Sequence, residues 1–226
     1  MGGLTDVTPL SRSEIAARIA DDIPEGWYVN LGVGMPTQVA NYIPAEREVV
    51  IHSENGVLGM GPAQDPPGSQ PWLVNAGKAY VTLRPGGCYV HHADSFAMIR
   101  GGHIDLCVLG AFQVAENGDI ANWATSENDS APAVGGAMDL CMGAKNLWVS
   151  MIHTTKGGEP KIVSNCTYPL TAPRVVKRIY TDLAVIAVTE NGLEVEEMAP
   201  GLDLAALQNV TEAQLKLAAG CRQSAA

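Results

Sequence analysis

Long hydrophobic runs are missing from this chain. No window reaches the roughly 18 apolar residues that a membrane-crossing helix needs, so no membrane role is expected. Basic residues are scarce: 14 Lys and Arg stand against 24 Asp and Glu, a net charge of -10. So acidic a chain repels polyphosphate at long range, which argues against a nucleic-acid partner. It says little about small anions, because a local pocket can still be positive. Paired cysteines are absent too. Five Cys (Cys88, Cys107, Cys141, Cys166 and Cys221) make an odd number, and no two form a CxxC pair. That argues against a disulfide framework or a zinc site. Cys88, Cys107 and Cys141 sit beside apolar residues, where free thiols pack as small hydrophobes, and a reducing cytoplasm is expected. The first fourteen residues have no basic region followed by an apolar stretch, so no secretory signal is expected.

What is present suits a globular fold. The 226 residues are 46% hydrophobic, enough for one substantial core. Residues 11–23 read as a helix: Ser11 and Glu14 have capping-box spacing, and Ile15, Ile19 and Ile23 recur on one face. Residues 27–31 read as a strand that runs into Gly32-Val33-Gly34 and a second helix with Pro36 near its start. Residues 48–52 read as a buried strand, and Gly61 to Pro71 as a loop. Further strands are expected at 79–84, 104–110, 147–152, 183–188 and 193–197. Turns are expected at Gly86-Gly87, Gly101-Gly102, 116–119 and 190–192, the last two with hairpin chemistry. Residues 203–218 read as a closing helix. Together these predict a mixed α/β fold: a mainly parallel sheet, helices on both faces and late hairpins. One domain is expected over residues 11–220, with tails at 1–10 and 221–226.

Four places have residues suited to chemistry. Glu54 stands where an apolar strand stops and a Gly-containing turn begins, and in open α/β sheets functional groups gather beyond the carboxyl ends of strands. A plain polar turn fits as well. Gly32 and Gly34 follow a strand and precede a helix, so their N–H groups either hold an anion or simply make a tight turn. Thr37 stands where a dinucleotide fingerprint needs its third glycine, so no Rossmann cofactor is expected. His91, His92 and Asp94 are potential ligands, but neighbours on a strand face opposite ways, so no metal is expected. One histidine facing a substrate carboxylate fits better. Gly135 and Gly136 precede an apolar run, where they either present N–H donors to an oxyanion or let backbones pack closely.

Six stretches, in order, carry a resemblance: Tyr28 to Thr37 (YVNLGVGMPT), His52 to Pro62 (HSENGVLGMGP), Asn75 to Lys78 (NAGK), Ala93 to His103 (ADSFAMIRGGH), Gly135 to Asp139 (GGAMD) and Thr181 to Ala184 (TDLA). The chain resembles the B (beta) subunit of family I CoA-transferases from about residue 11 to 202. The resemblance implies that Glu54 is the catalytic glutamate, that CoA and acyl-CoA are substrates, and that no metal or redox cofactor takes part. It implies an A (alpha) subunit as partner, in a heterotetramer, since the glycine-rich CoA-binding half is not recognisable here. Asn55, Gly135 and Gly136 are then oxyanion or CoA-proximal candidates, and His91, His92, Gly32 and Gly34 substrate-binding candidates. Acetoacetate-type members carry a lysine-containing stretch before the Gly-Gly pair. Here residues 124–134 (ATSENDSAPAV) have no lysine, which looks more like the 3-oxoadipate branch, with succinyl-CoA as donor. The alternatives are an acetoacetate (3-oxoacid) enzyme, a CoA-dependent hydrolase and a non-catalytic fold relative.

Overall fold

The computed structural model describes residues 7–65, 68, 70–126 and 133–224. The chain gathers into two compact units built from interleaved stretches. One comprises residues 16–110 and 138–147; the other takes residues up to 15, 111–137 and 148 onward.

Helix α1 spans Arg12–Asp22. Its capping box forms: the Ser11 N–H donates to Glu14 Oε2 at 2.7 Å, and the Glu14 N–H to Ser11 Oγ at 3.2 Å. The predicted face, Ile15, Ile19 and Ile23, is buried. The first unit then runs β1 (Tyr28–Leu31), a 3-10 helix (Met35–Asn41), β2 (Val50–Ser53), β3 (Val57–Ala63), β4 (Val81–Tyr89), α2 (His92–Arg100) and β5 (Leu106–Leu109), and takes in α3 (Ala137–Gly143). Its strands lie in the order β5-β1-β2-β3-β4. β1 has parallel neighbours on both sides, while β2, β3 and β4 pair antiparallel in succession. Val29, Ile51, Leu106 and Val108 are buried, as parallel strands covered on both faces require.

The chain continues through β6 (Gln113–Ala115), β7 (Ile120–Ala121), β8 (Asn146–Ser150), β9 (Ile162–Val163), β10 (Val176–Tyr180), β11 (Ala184–Thr189), β12 (Gly192–Met198), α4 (Leu204–Gln208) and β13 (Leu215–Gln223). In the second unit β7-β6-β9 form a small sheet, and β13-β12-β11-β10 follow one another in a larger one. The mixed α/β class and the two late hairpins, β6–β7 and β11–β12, are those the sequence predicts.

Several expectations about individual elements are corrected. Gly61 is not loop but strand, in β3, packed so closely on Thr82 that an added Cβ would lie 2.2 Å from its Oγ1. Gly86-Gly87 is not a turn but an irregularity within β4, with Gly86 at φ 84. Residues 92–100, for which the sequence predicts no element, form α2, so His91 and His92 are not strand neighbours. The closing helix stops at Gln208, and the chain returns as β13 along β12, with 221–223 in the strand rather than in a tail. Leu and Ala favour helix, but pairing along β12 overrides that preference. Residues 7–10 are also tied down: Leu10 N–H donates to Asp182 O at 2.8 Å.

Candidate active site

The first unit builds the site from a row of polar residues across its parallel strands. Register sets Cys107 of β5, Asn30 of β1 and His52 of β2 side by side. Residues in register point to the same face of a sheet. All three are buried, within largely apolar strands. The Asn30 Nδ2 group reaches His52 Nδ1 at 3.0 Å and donates to His52 O at 3.3 Å. Its Oδ1 accepts the Cys107 thiol at 3.7 Å. On the far side of the imidazole, His52 Nε2 lies 2.8 Å from Ser95 Oγ on α2. Since Nδ1 accepts from the amide, Nε2 carries the proton and donates to Ser95.

Glu54 follows His52 by two residues, just past the end of β2. Its charge reaches the polar row: after burial and the neighbouring Cys141, it helps hold the Cys107 thiol protonated. Its turn is pinned from several directions. Ser53 Oγ accepts the Ala76 N–H at 3.1 Å, and Asn55 Nδ2 donates to Val74 O at 2.8 Å. His92 Nδ1 lies 3.1 Å from Glu54 O. Gly56, at φ 102, has its carbonyl bonded by the Val90 N–H at 2.9 Å. A Cβ on Gly56 would sit 2.3 Å from Val90 O, so only glycine fits.

Electrostatics favour a basic, half-buried carboxylate. Burial raises the Glu54 carboxyl above its ordinary value, while His92 pulls it partly back. Burial pushes His52 down to about 4, so it is neutral at ordinary pH. The row of Cys107, Asn30 and His52 near Glu54 is therefore polar but uncharged.

The structure brings Glu54, Asn55 and His92 together. His91 is separate in function: it caps α2, its Nδ1 accepting the Ala93 N–H at 3.1 Å. The Gly32 N–H is taken by Val108 O at 2.9 Å. Gly34, at φ 97, precedes the 3-10 helix, and its carbonyl accepts Thr37 Oγ1 at 2.7 Å. Gly135, at φ 53, and Gly136 belong to the second unit, ahead of α3. Sequence reading missed Asn30, His52 and Ser95. The available signal was a polar residue at the centre of each apolar strand. It missed as well the loop fastened to the Glu54 turn, where Lys78 adopts φ 65 and its N–H closes back on Asn75 O at 2.9 Å. Among the described residues, no three His, Cys, Asp or Glu side chains are grouped to hold a metal ion.

A glutamate held at a strand end is found on many folds, and comparison with known proteins decides the family. Residues 12–209 match the family described as Coenzyme A transferase. The chain belongs to that family. This CoA-transferase chain is 57% identical, over 206 residues, to the beta (B) subunit of the 3-oxoadipate CoA-transferase of Acinetobacter baylyi, covering 91% of this chain and 95% of the relative. It is 45% identical, also over 206 residues, to the beta (B) subunit of a succinyl-CoA:3-ketoacid coenzyme A transferase of Helicobacter pylori, with 91% and 99% covered. In fold it is similar to the acyl-CoA transferase YdiF of Escherichia coli, with a TM-score of 0.74 at 19% identity. That match covers 96% of this CoA-transferase chain and 43% of the longer YdiF chain, so it spans less than half of that protein.

Proposed function

We propose that this chain is the glutamate-bearing beta subunit of a 3-oxoadipate CoA-transferase, working with succinyl-CoA as donor and an alpha subunit as partner. The observation that carries the reading is Glu54 itself: a half-buried carboxylate with a raised pKa, fixed at the end of β2 by a turn that tolerates only glycine at position 56. A carboxylate in bulk water is a weak nucleophile. Partial desolvation makes it more basic and more reactive.

The chemistry follows from that group. An ionised Glu54 oxygen attacks the thioester carbonyl of succinyl-CoA; the C–S bond breaks and CoA leaves as thiolate, giving a mixed anhydride. The thiolate then attacks the Glu54 acyl carbon, the anhydride C–O bond breaks, and succinate departs, leaving Glu54 as a CoA thioester. The incoming oxoacid reverses both steps. Oxyanion donors must meet the tetrahedral intermediates, and Gly135, Gly136 and Asn55 remain the candidates on this chain. CoA contacts and exclusion of water are assigned to the alpha subunit, in a heterotetramer of two subunits of each kind. Neither metal nor redox cofactor takes part in this scheme. No helix among the described residues is long and apolar enough to cross a membrane, and we place the enzyme in the cytoplasm.

Two observations support the dicarboxylic acid over acetoacetate. Identity is higher to the 3-oxoadipate relative than to the 3-ketoacid one. His92, beside Glu54, offers a ring that can meet a second carboxylate, which would otherwise be costly to bury. Segment 124–134, whose lack of lysine points the same way, lies largely outside the described residues. The test is succinyl-CoA with 3-oxoadipate or acetoacetate, using the chain alone and co-purified with its alpha subunit. Transfer to 3-oxoadipate by the assembled enzyme is expected, with little or none by the isolated chain. A higher kcat/KM for acetoacetate would make the enzyme a 3-oxoacid transferase instead. Hydrolysis without transfer would point to a CoA-dependent hydrolase, and inertness of the complex to a non-catalytic relative.

A further inference from the structure

His52 joins three elements close to one functional residue. It contacts the β1 amide of Asn30 through Nδ1, contacts Ser95 of α2 through Nε2, and lies two residues before Glu54 on β2. We propose that His52 is a positioning residue: as the neutral Nε2–H tautomer it fixes Asn30 and docks α2, and so sets where the Glu54 carboxylate stands for its attack on the thioester.

The hydrogen bonds leave little freedom. Asn30 spends both Nδ2 protons on His52, one on Nδ1 and one on the main-chain oxygen. Its Oδ1 therefore faces Cys107, whose thiol, raised by burial, stays protonated and donates. The amide can hold this orientation only while His52 Nδ1 is an acceptor. A second proton on the ring would oppose N–H to N–H and drive the amide to flip. The capture of His52 O by Asn30 also fixes the main chain just before the Glu54 turn. On the other side, Ser95 is fully buried and lies one helical turn from His92, which holds Glu54 O. α2 thus meets the Glu54 segment twice, at positions 92 and 95, and the inner contact runs through His52. Placement at this level matters, since misplacing a reacting group by about 1 Å can cost ~100-fold in rate. The neutral ring also keeps a cation away from Glu54, so the carboxylate keeps its raised basicity.

The inference rests on Glu54 being the acceptor of CoA, and the test separates the two. The assembled enzyme is mixed with acyl-CoA alone, and the rate of CoA addition to the Glu54 peptide is followed, together with steady-state kcat and KM. His52→Leu removes both ring contacts, Ser95→Ala removes the one to α2, and His52→Gln restores an acceptor and a donor. His52→Leu should slow adduct formation and kcat by about ten- to a hundredfold with KM for acyl-CoA within about threefold. Ser95→Ala should slow both by about three- to tenfold and His52→Gln by less than about threefold. A merely structural role would lower Tm but leave the kcat of folded enzyme intact. Wild-type rates in folded Ser95→Ala or His52→Leu overturn the inference, as does a His52→Gln protein as slow as His52→Leu. If His52→Leu does not fold, Ser95→Ala and His52→Gln decide. Absence of any adduct in wild type would instead overturn the Glu54 reading.

Discussion

His92 Nδ1 lies 3.1 Å from the main-chain oxygen of Glu54, whereas His91 turns its Nδ1 to the Ala93 N–H and closes the end of α2. Two adjacent histidines thus separate into a residue of the site and a helix cap. His91→Ala should lower stability by ~1 kcal/mol, seen as a lower Tm, with the ratio of kcat/KM for 3-oxoadipate and acetoacetate unchanged. His92→Ala should lower kcat/KM for 3-oxoadipate about ten- to a hundredfold, the loss of a charge-assisted contact, and affect acetoacetate less. Equal losses for the two acids would remove His92 from recognition of the second carboxylate.

Gly56 is the least replaceable residue of the turn. Gly56→Ala meets both a left-handed φ of 102 and a carbonyl 2.3 Å from its new Cβ. Backbone strain alone costs about 1–3 kcal/mol, and relieving the clash must shift either Val90 or the turn that carries Glu54. Urea unfolding should show the loss, and activity should fall further than the unfolded fraction explains. A Gly56→Ala enzyme of wild-type stability and rate would contradict the geometry.

Two buried histidines should make the protein acid-sensitive. His52 and His153 are both pushed down to about 4, His52 by burial and His153 by burial and then the Lys161 charge. Each binds a proton more readily unfolded than folded. Their stabilisation is therefore complete above about pH 6.5 and is lost as pH falls towards about 4, at up to ~1.4 kcal/mol per pH unit for each. Unfolding measured between about pH 7.5 and pH 5 should show this loss, and His52→Gln should make the slope shallower. A flat profile would mean that neither ring is held neutral.

Much of this was legible in the sequence. The Ser11 capping box, the Ile15, Ile19 and Ile23 face, the strands leading to Glu54 and the hairpins at 116–119 and 190–192 are local signals, and local spacing determined them. The misses needed tertiary information. Residues 215–223 carry helix formers but lie along β12 because that edge is free to pair. α2 went unread because its buried positions, Ser95 and Ile99, are too few to make an apolar stripe. Asn30 and His52 look like polar interruptions of apolar strands until the parallel register places them side by side.

Glu54 should be a cost to the fold. Its raised pKa means that the folded state prefers the protonated carboxyl, so stability is fullest below the unfolded value and falls as pH rises through the folded one. Glu54→Gln removes that charge. At neutral pH its Tm should equal or exceed that of wild type, while transfer is abolished, the pattern of a group kept for function. A marked fall in Tm would mean that the carboxylate is a structural anchor.

The most direct measurement is the mass of the peptide that contains Glu54. The assembled enzyme, incubated with acyl-CoA and no acceptor acid, should gain on that peptide the mass of CoA less one water. The adduct should disappear when the acceptor acid is added, and should never form in Glu54→Ala. An unmodified Glu54 peptide in an active enzyme, or full transfer by folded Glu54→Ala, would contradict the account.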